Sequence, residues 1–263
     1  MYFNIVKKSE VTFDNDVAVL IGWAGIGLIG KLAIESIKDS LKADLFLEIE
    51  YFDFPPKSKV ENGKLDLPIV ELFYKSRKQE NKPDILALIA NTQPQNPEGV
   101  YDFAKQFCEK IDEITNGQVI LYVSAGALIS DEKNEDKPKV HISGTDQDTI
   151  DKFLDIEDTE IMESGTISGA NGIMPTWAGR KGFAPGICLL AETVPMPMMN
   201  IDPQASKSLV EVLAAYFDIE MDFAKLDEKV EEAEDAFNDF KKKADAFMKG
   251  KKPARKESDS YFR

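Results

Sequence analysis

Histidine is almost absent from this chain: of 263 residues only His141 carries an imidazole. A histidine-based triad therefore has one possible base, in Lys-Val-His-Ile-Ser, with no order of nucleophile and acid around it. Cysteine is nearly as scarce. Cys108 falls in a helix-like segment and Cys188 in an apolar strand, positions that suit small buried side chains rather than a disulfide or a metal pair. No apolar run reaches the roughly 18 residues of a membrane span. Met1–Ser9 lacks the basic-then-apolar order of a signal peptide, so the expectation is a soluble, cytoplasmic protein. Positive charge is in deficit, 32 Lys and Arg against 47 Asp and Glu, and the net −15 disfavours nucleic acid or an anionic membrane as partner.

What the chain does have is glycine in a telling place. Val17 to Ile21 is apolar and β-branched enough for a buried strand, and Gly25, Gly27 and Gly30 follow it as G-x-G-x-x-G. Ile26, Ile29, Leu32, Ala33, Ile34 and Ile37 then recur at helical spacing. A second strand, Leu45 to Tyr51, carries Glu50 about twenty residues beyond the last glycine, where a dinucleotide-binding fold places its ribose carboxylate. The plainer reading is a strand-to-helix turn that uses glycine for positive φ and close backbone approach, with Lys31 facing solvent and Glu48 and Glu50 alternating on the open face of a strand.

Strand-like and helix-like segments alternate onward, the pattern of an α/β fold with a largely parallel sheet flanked by helices. Asn62-Gly63 suits a two-residue hairpin turn inside Val60 to Leu65, and an apolar run spans Leu67 to Tyr74. Asp84 to Ala90 reads as a buried strand, Asn96-Pro97 as the cap and first turn of a helix to about Ile114, and Gln118 to Val123 as a strand. Ser124 to Val140 reads as an exposed, charged loop. Asp146, Asp148, Asp151, Asp155, Glu157 and Asp158 lack calcium-loop spacing and read as a solvated helix face. Ser164 to Thr193 is glycine-rich and irregular, with a strand at Ile187 to Ala191, and Asp202-Pro203 opens a helix to about Phe217. Met196, Met198 and Met199 suit core filling or an adaptable contact surface.

Three blocks carry a resemblance: Gly22 to Gly30; Ser164 to Thr193 with its Gly-Ala-Asn-Gly and Leu-Leu-Ala-Glu-Thr; and Asp202 to Phe237 with its Asp-Pro-Gln-Ala-Ser-Lys. With Asn91-Thr-Gln-Pro94, they resemble the archaeal branch of the proteasome assembly chaperone family, homologues of the eukaryotic proteasome assembly chaperone 2. The resemblance implies an α/β sandwich shaped like the nucleoside phosphorylases, an oligomer, and no established enzymatic activity or cofactor.

The C-terminal part divides further. Phe223, Leu226, Val230, Ala233, Phe237, Phe240, Ala244 and Phe247 recur at alternating three- and four-residue spacings, a seam sustained over more than three heptads. It serves either the chain's own core or a partner, a second copy or a related paralogue. Gly250 stops this helix. Residues 251–263 hold five basic residues against Glu257 and Asp259, with almost no apolar content before the closing Tyr261-Phe262-Arg263. The organisation expected is a body over 1–221, a heptad-patterned helix over 222–249 and a flexible basic tail over 250–263.

The ending resembles the hydrophobic-tyrosine-any-residue terminus with which proteasome activators dock between α-subunits. By position, Tyr261 is the hydrophobic residue, Phe262 takes the tyrosine place without its hydroxyl, and Arg263 supplies a carboxylate. The resulting expectation is a non-enzymatic, ATP-independent assembly factor for proteasome α-subunits or the 20S particle, with no catalytic, metal or cofactor residues. The alternative is a nucleotide- or nucleoside-binding enzyme built on Gly25, Gly27, Gly30 and Glu50.

Overall fold

A computed structural model describes residues 2–130, 137–194, 201–224, 226–232 and 235. Eleven strands and five α-helices run in the order β1 (Phe3–Lys7), β2 (Val17–Trp23), α1 (Ile29–Leu41), β3 (Asp44–Tyr51), β4 (Lys59–Glu61), β5 (Lys64–Asp66), β6 (Ile69–Lys75) and β7 (Asp84–Ala90). They continue as α2 (Pro97–Thr115), β8 (Val119–Ile129), β9 (Val140–Gly144), α3 (Gln147–Leu154), β10 (Thr159–Ile161), α4 (Ala170–Lys181), β11 (Gly186–Thr193) and α5 (Pro203–Phe217). Nine strands form one sheet in the order β1-β3-β6-β7-β2-β8-β11-β9-β10, and β4 pairs only with β5. The centre, β7-β2-β8-β11, is parallel, with antiparallel pairings on both wings and a final parallel pair β9-β10.

Strand β2 shows why the sheet is covered twice. All seven of its residues are buried, and with a period of two they divide between the faces. Val17, Val19, Ile21 and Trp23 join a core with Phe103, Phe107 and Ile111 of α2 and with Ala170, Met174 and Ala178 of α4. Ala18 and Leu20 join the opposite core, with Ile34 and Ile37 of α1, Leu209 and Leu213 of α5, and Phe153 of α3. Among the described residues no helix is long and apolar enough to cross a membrane.

Two stretches depart from the sequence reading. Ser124 to Ile129 belongs to β8, paired in register with Leu190 and its neighbours, instead of opening a loop. Its small residues read as loop because their apolar area is slight, yet Ser124 and Ala125 are fully buried. In the rest of the expected loop, Ser130 and 137–139 form neither strand nor helix, Val140 opens β9, and 131–136 lie outside the described residues. The glycine-rich stretch after Ser164 likewise contains a helix, α4, with Pro175 inside it. Proline has no N–H to give the carbonyl four residues back, which is Asn171. The Ser124 hydroxyl donates to that carbonyl instead, at 2.6 Å.

Asn62 (φ 49°) and Gly63 (φ 76°) make the expected hairpin turn between β4 and β5. Asp202 caps α5, accepting from the Ala205 N–H at 3.0 Å, as its sequence position implies. Asp146 caps α3, accepting from the Thr149 N–H at 2.9 Å.

At the opposite edge of the sheet lies a buried polar knot. Asp84 accepts from Tyr74 Oη at 2.6 Å, the Arg77 N–H at 2.7 Å and Asn15 Nδ2 at 3.0 Å. Burial, and then Asp84, push the Tyr74 hydroxyl up to about 12. The Arg77 side chain, 1% exposed, donates to the carbonyls of Phe217 (2.8 Å) and Asp218 (2.9 Å) and pairs with Glu80. Its charge thus sits at the negative end of α5. Arg77→Ala should lower unfolding free energy in urea by about 3 kcal/mol. Arg77→Lys should recover less than half of it, because one ammonium cannot span two carbonyls and a carboxylate.

Candidate functional site

The parallel strands β2, β7, β8 and β11 end on one edge of the sheet, and β3 runs the same way, so Tyr51 ends there too. The loops leaving these ends bring together the segments that stood out in sequence. An open α/β sheet places its ligand crevice at such an edge.

The glycine turn comes first. Gly27 (φ 58°) and Leu28 (φ 51°) both take the left-handed conformation, which only Gly27 adopts without strain. Ile26 precedes α1 rather than packing under it, and is 45% exposed. A Cβ on Gly30 would overlap the carbonyl oxygen of Ala125, and one on Gly22 would meet the Ile34 side chain at 2.8 Å. These two glycines therefore let α1 lie against β2 and β8. Gly25 has open space where a side chain would go.

Polar groups around the turn are spent on each other. The Gly27 carbonyl accepts from the Asp202 N–H at 2.8 Å, and the Asp202 carboxylate accepts from Thr193 Oγ1 at 2.6 Å. Gln93 Nε2 donates to the Ala24 carbonyl at 3.3 Å, while its Oε1 accepts from the Ala170 N–H at 3.1 Å. Gln93 thereby ties the glycine turn to the start of α4. An anionic phosphate entering the turn would meet Asp202, since a Cβ on Gly27 would lie 3.1 Å from that of Asp202. Lys31 does not offset this, being paired with Glu35 at 2.8 Å.

Glu50 is not brought to the turn. It lies on β3, separated from β2 by β6 and β7, roughly 14 Å across the sheet by standard strand spacing, and it accepts from Asn4 at 3.0 Å. Asn96 sits at the cap position of α2, but its side chain donates to Asp53 instead of closing on its own helix. The buried Asp53 carboxylate also accepts the Asn96 N–H at 2.8 Å, so a negative charge from 43 residues upstream joins Glu98 at this helix start.

His141 bonds Glu192 at 2.9 Å across β9 and β11. Neither thiol is activated: burial pushes Cys188 up to about 11 and Cys108 up to about 12. Among the described residues no group of three or more His, Cys, Asp or Glu is placed to hold a metal ion. A cleft of about 350 Å³ lies between α4 and the β9-β11 wing, with Ser143, Thr145, Glu163 and Thr176 on its walls. Most of its walls come from the Ser164–Thr193 block that stands out in sequence, but the concavity forms only where that block folds back against β9.

Of the heptad residues, Phe223 and Val230 are half-buried and Leu226 is 5% exposed. Leu226 packs into the α1-α5 core, and Lys207 holds the segment by pairing with Asp227 at 2.6 Å and lying over the Phe223 ring. The start of the seam thus serves the chain's own core. Phe237, Phe240, Phe247, Tyr261, Phe262, Arg263 and the methionines at 196, 198 and 199 lie outside the described residues.

Residues 19–241 match the model of the PAC2 family. The chain belongs to the PAC2 family. Two proteins of Methanocaldococcus jannaschii, both described as uncharacterized, are similar to it. One is 33% identical over 247 residues, covering 93% of this chain and 91% of the relative. The other is 27% identical over 259 residues, covering 98% and 97%. Among solved structures, Pyrococcus furiosus PbaB, described as an archaeal proteasome activator, matches with a TM-score of 0.82 at 24% identity, covering 91% of this chain and 98% of that one. P. furiosus PbaA, described as an archaeal homolog of proteasome-assembly chaperone, matches with a TM-score of 0.73 at 20% identity, covering 94% and 95%. At these identities the two structures establish the fold, and in this PAC2 chain the glycine turn is part of its packing.

Two measurements check this. Gly30→Ala should cost about 3 kcal/mol in chemical unfolding, while Gly25→Ala should stay within about 0.5 kcal/mol of the parent. In native protein at pH 8 a thiol reagent should label neither Cys108 nor Cys188, and both should react once denaturant is added.

Proposed function

We propose that this protein is a non-enzymatic assembly factor that acts on proteasome α-subunits or the 20S particle without ATP. Membership in the PAC2 family carries this reading. The likeness in fold to proteins described as a proteasome activator and a proteasome-assembly chaperone homolog supports it. The carboxyl edge supports it too, because the groups that would cradle a nucleotide phosphate are occupied by Asp202 and Gln93.

On this reading the body over 1–221 and the helix over 222–249 self-associate, and each copy contributes a basic tail over 250–263. Tyr261, Phe262 and Arg263 dock between α-subunits. Each tail binds weakly, since Phe262 lacks a hydroxyl and forgoes roughly 1 kcal/mol. Several tails on one oligomer raise the avidity through effective concentration. Assembly is promoted because the tails engage a correctly formed ring better than free subunits, and a ligand shifts an equilibrium only by such a difference.

Removing residues 261–263 should abolish co-sedimentation with purified 20S proteasome while leaving the thermal unfolding of the protein unchanged. Binding retained by the truncated chain would remove the tail from the mechanism. A saturable thermal shift with a nucleotide, lost in Gly27→Val, would replace this reading with that of a nucleotide-binding enzyme.

A further inference from the structure

The layer formed by α2 and α4 carries a feature that the carboxyl edge does not use. Tyr101 of α2 and Trp177 of α4 meet edge-on, with ring centroids 6.3 Å apart at 62°. Tyr101 is 51% exposed, and Trp177, half-buried, packs against the core beneath the two helices. Both helices start at the carboxyl edge, α2 after the end of β7 and α4 where Gln93 holds Ala170, so they run in the same direction. One turn beyond the rings, Lys105 follows Tyr101 on α2, and Arg180 and Lys181 follow Trp177 on α4.

These three cations stand apart from most others in the chain. All are exposed, and among the described residues none pairs with a carboxylate; Lys181 lies over the Trp177 ring instead, at 4.9 Å. With 47 acidic residues against 32 basic ones, a basic group here has carboxylates to choose from, and Lys7, Lys8, Lys31, Lys110 and Lys207 each hold one. Asp102, beside Tyr101 in sequence, is held by the Tyr51 hydroxyl at 2.9 Å and by Gln106 at 2.6 Å.

We propose that this patch binds an acidic segment of a partner protein, one that sets an aromatic or aliphatic side chain against Tyr101 and Trp177 and its carboxylates against Lys105, Arg180 and Lys181. Charge selects this occupant, because three unpaired cations gathered on a body of net charge −15 are a local site for carboxylates. Tyrosine, tryptophan and arginine are the residue types that interfaces favour, and Trp177 is already held by its packing, so little ordering is lost on binding. Exposed Glu98 and Glu109 bound the patch along α2, roughly 16 Å apart by helical rise. A nucleic-acid strand or an anionic membrane extends past those limits onto carboxylates, whereas a few side chains of a peptide fit between them.

Fluorine NMR on the full chain, with 5-fluorotryptophan at both tryptophans, reads the patch directly, since Trp177 sits in it and Trp23 is 1% exposed. The probe is a short peptide of glutamate and glycine around one central phenylalanine. On titration the Trp177 signal should move with a dissociation constant below about 1 mM while the Trp23 signal stays. Glutamine in place of glutamate in the peptide, or Lys105→Glu with Arg180→Glu in the protein, should weaken binding about tenfold or more. Both side chains are exposed and unpaired, so the double variant should keep its thermal unfolding. Lys57→Glu with Lys64→Glu, the same charge change elsewhere, should stay within about twofold of the parent. A Trp177 signal that does not move at about 5 mM peptide, or that moves equally with the glutamine peptide, overturns the proposal. Tighter binding of a short oligothymidylate assigns the patch to nucleic acid, and a double variant that sediments as a smaller species than the parent assigns it to a contact between copies; either result overturns it. The chain lacking residues 261–263 should bind the peptide as the parent does, which keeps this reading separate from tail docking.

Discussion

A buried guanidinium holds the ends of this fold together. Arg77 leaves the sheet between β6 and β7, and its side chain reaches the last carbonyls of α5, 140 residues later in the chain. With Asp84 gathering Asn15, Tyr74 and the Arg77 backbone, one cluster joins the approach to β2, the β6-β7 turn and the exit from α5. A charge so deeply placed is tolerable only because carbonyls and Glu80 surround it. The segment that follows, with Ile219 and Leu226 in the core, departs from a point this cluster defines. The direction in which the C-terminal part begins is thus set from the far side of the sequence.

The carboxyl edge is organised on a different principle. Its backbone approaches are as close as glycine permits, at Gly30 against Ala125 and Gly22 against Ile34, and Gln93, Asp53 and Asp202 tie several of its polar groups together. Ile26, Val60, Leu65 and Leu67 stand exposed there among charged and polar neighbours. A site for charged small molecules would keep donors free, whereas a surface for macromolecules keeps its polar framework closed and its apolar groups exposed.

Much of the fold was legible because it is written locally. The hairpin turn at Asn62-Gly63, the cap at Asp202 and the buried strands β2 and β7 each carry their signal within a few residues. Helix α4 does not. Gly172, Gly179 and Pro175 are poor helix formers, and its apolar residues follow no single stripe, because Gly172 and Pro175 face close backbone neighbours in Ile167 and Gly186. The site was legible only in fragments. The glycine turn and Asn91-Thr-Gln-Pro94 stand out in sequence, but what joins them to Ala170 and Asp202 is tertiary, and Glu50, at an inviting spacing, is carried away by strand order. The amphipathic pattern of the hairpin was present in the letters too. Its meaning depends on the fold leaving both faces uncovered.

The hydroxyl of Ser124 and the ring of Pro175 have a consequence for how such sequences vary. Proline leaves the Asn171 carbonyl without a donor from its own helix, and a serine from another layer of the molecule supplies one. The two positions are therefore expected to change together. A relative with an ordinary residue at 175 recovers the missing N–H, and its residue at 124 is released to other uses. A relative that keeps the proline but loses the hydroxyl strands a carbonyl in the interior.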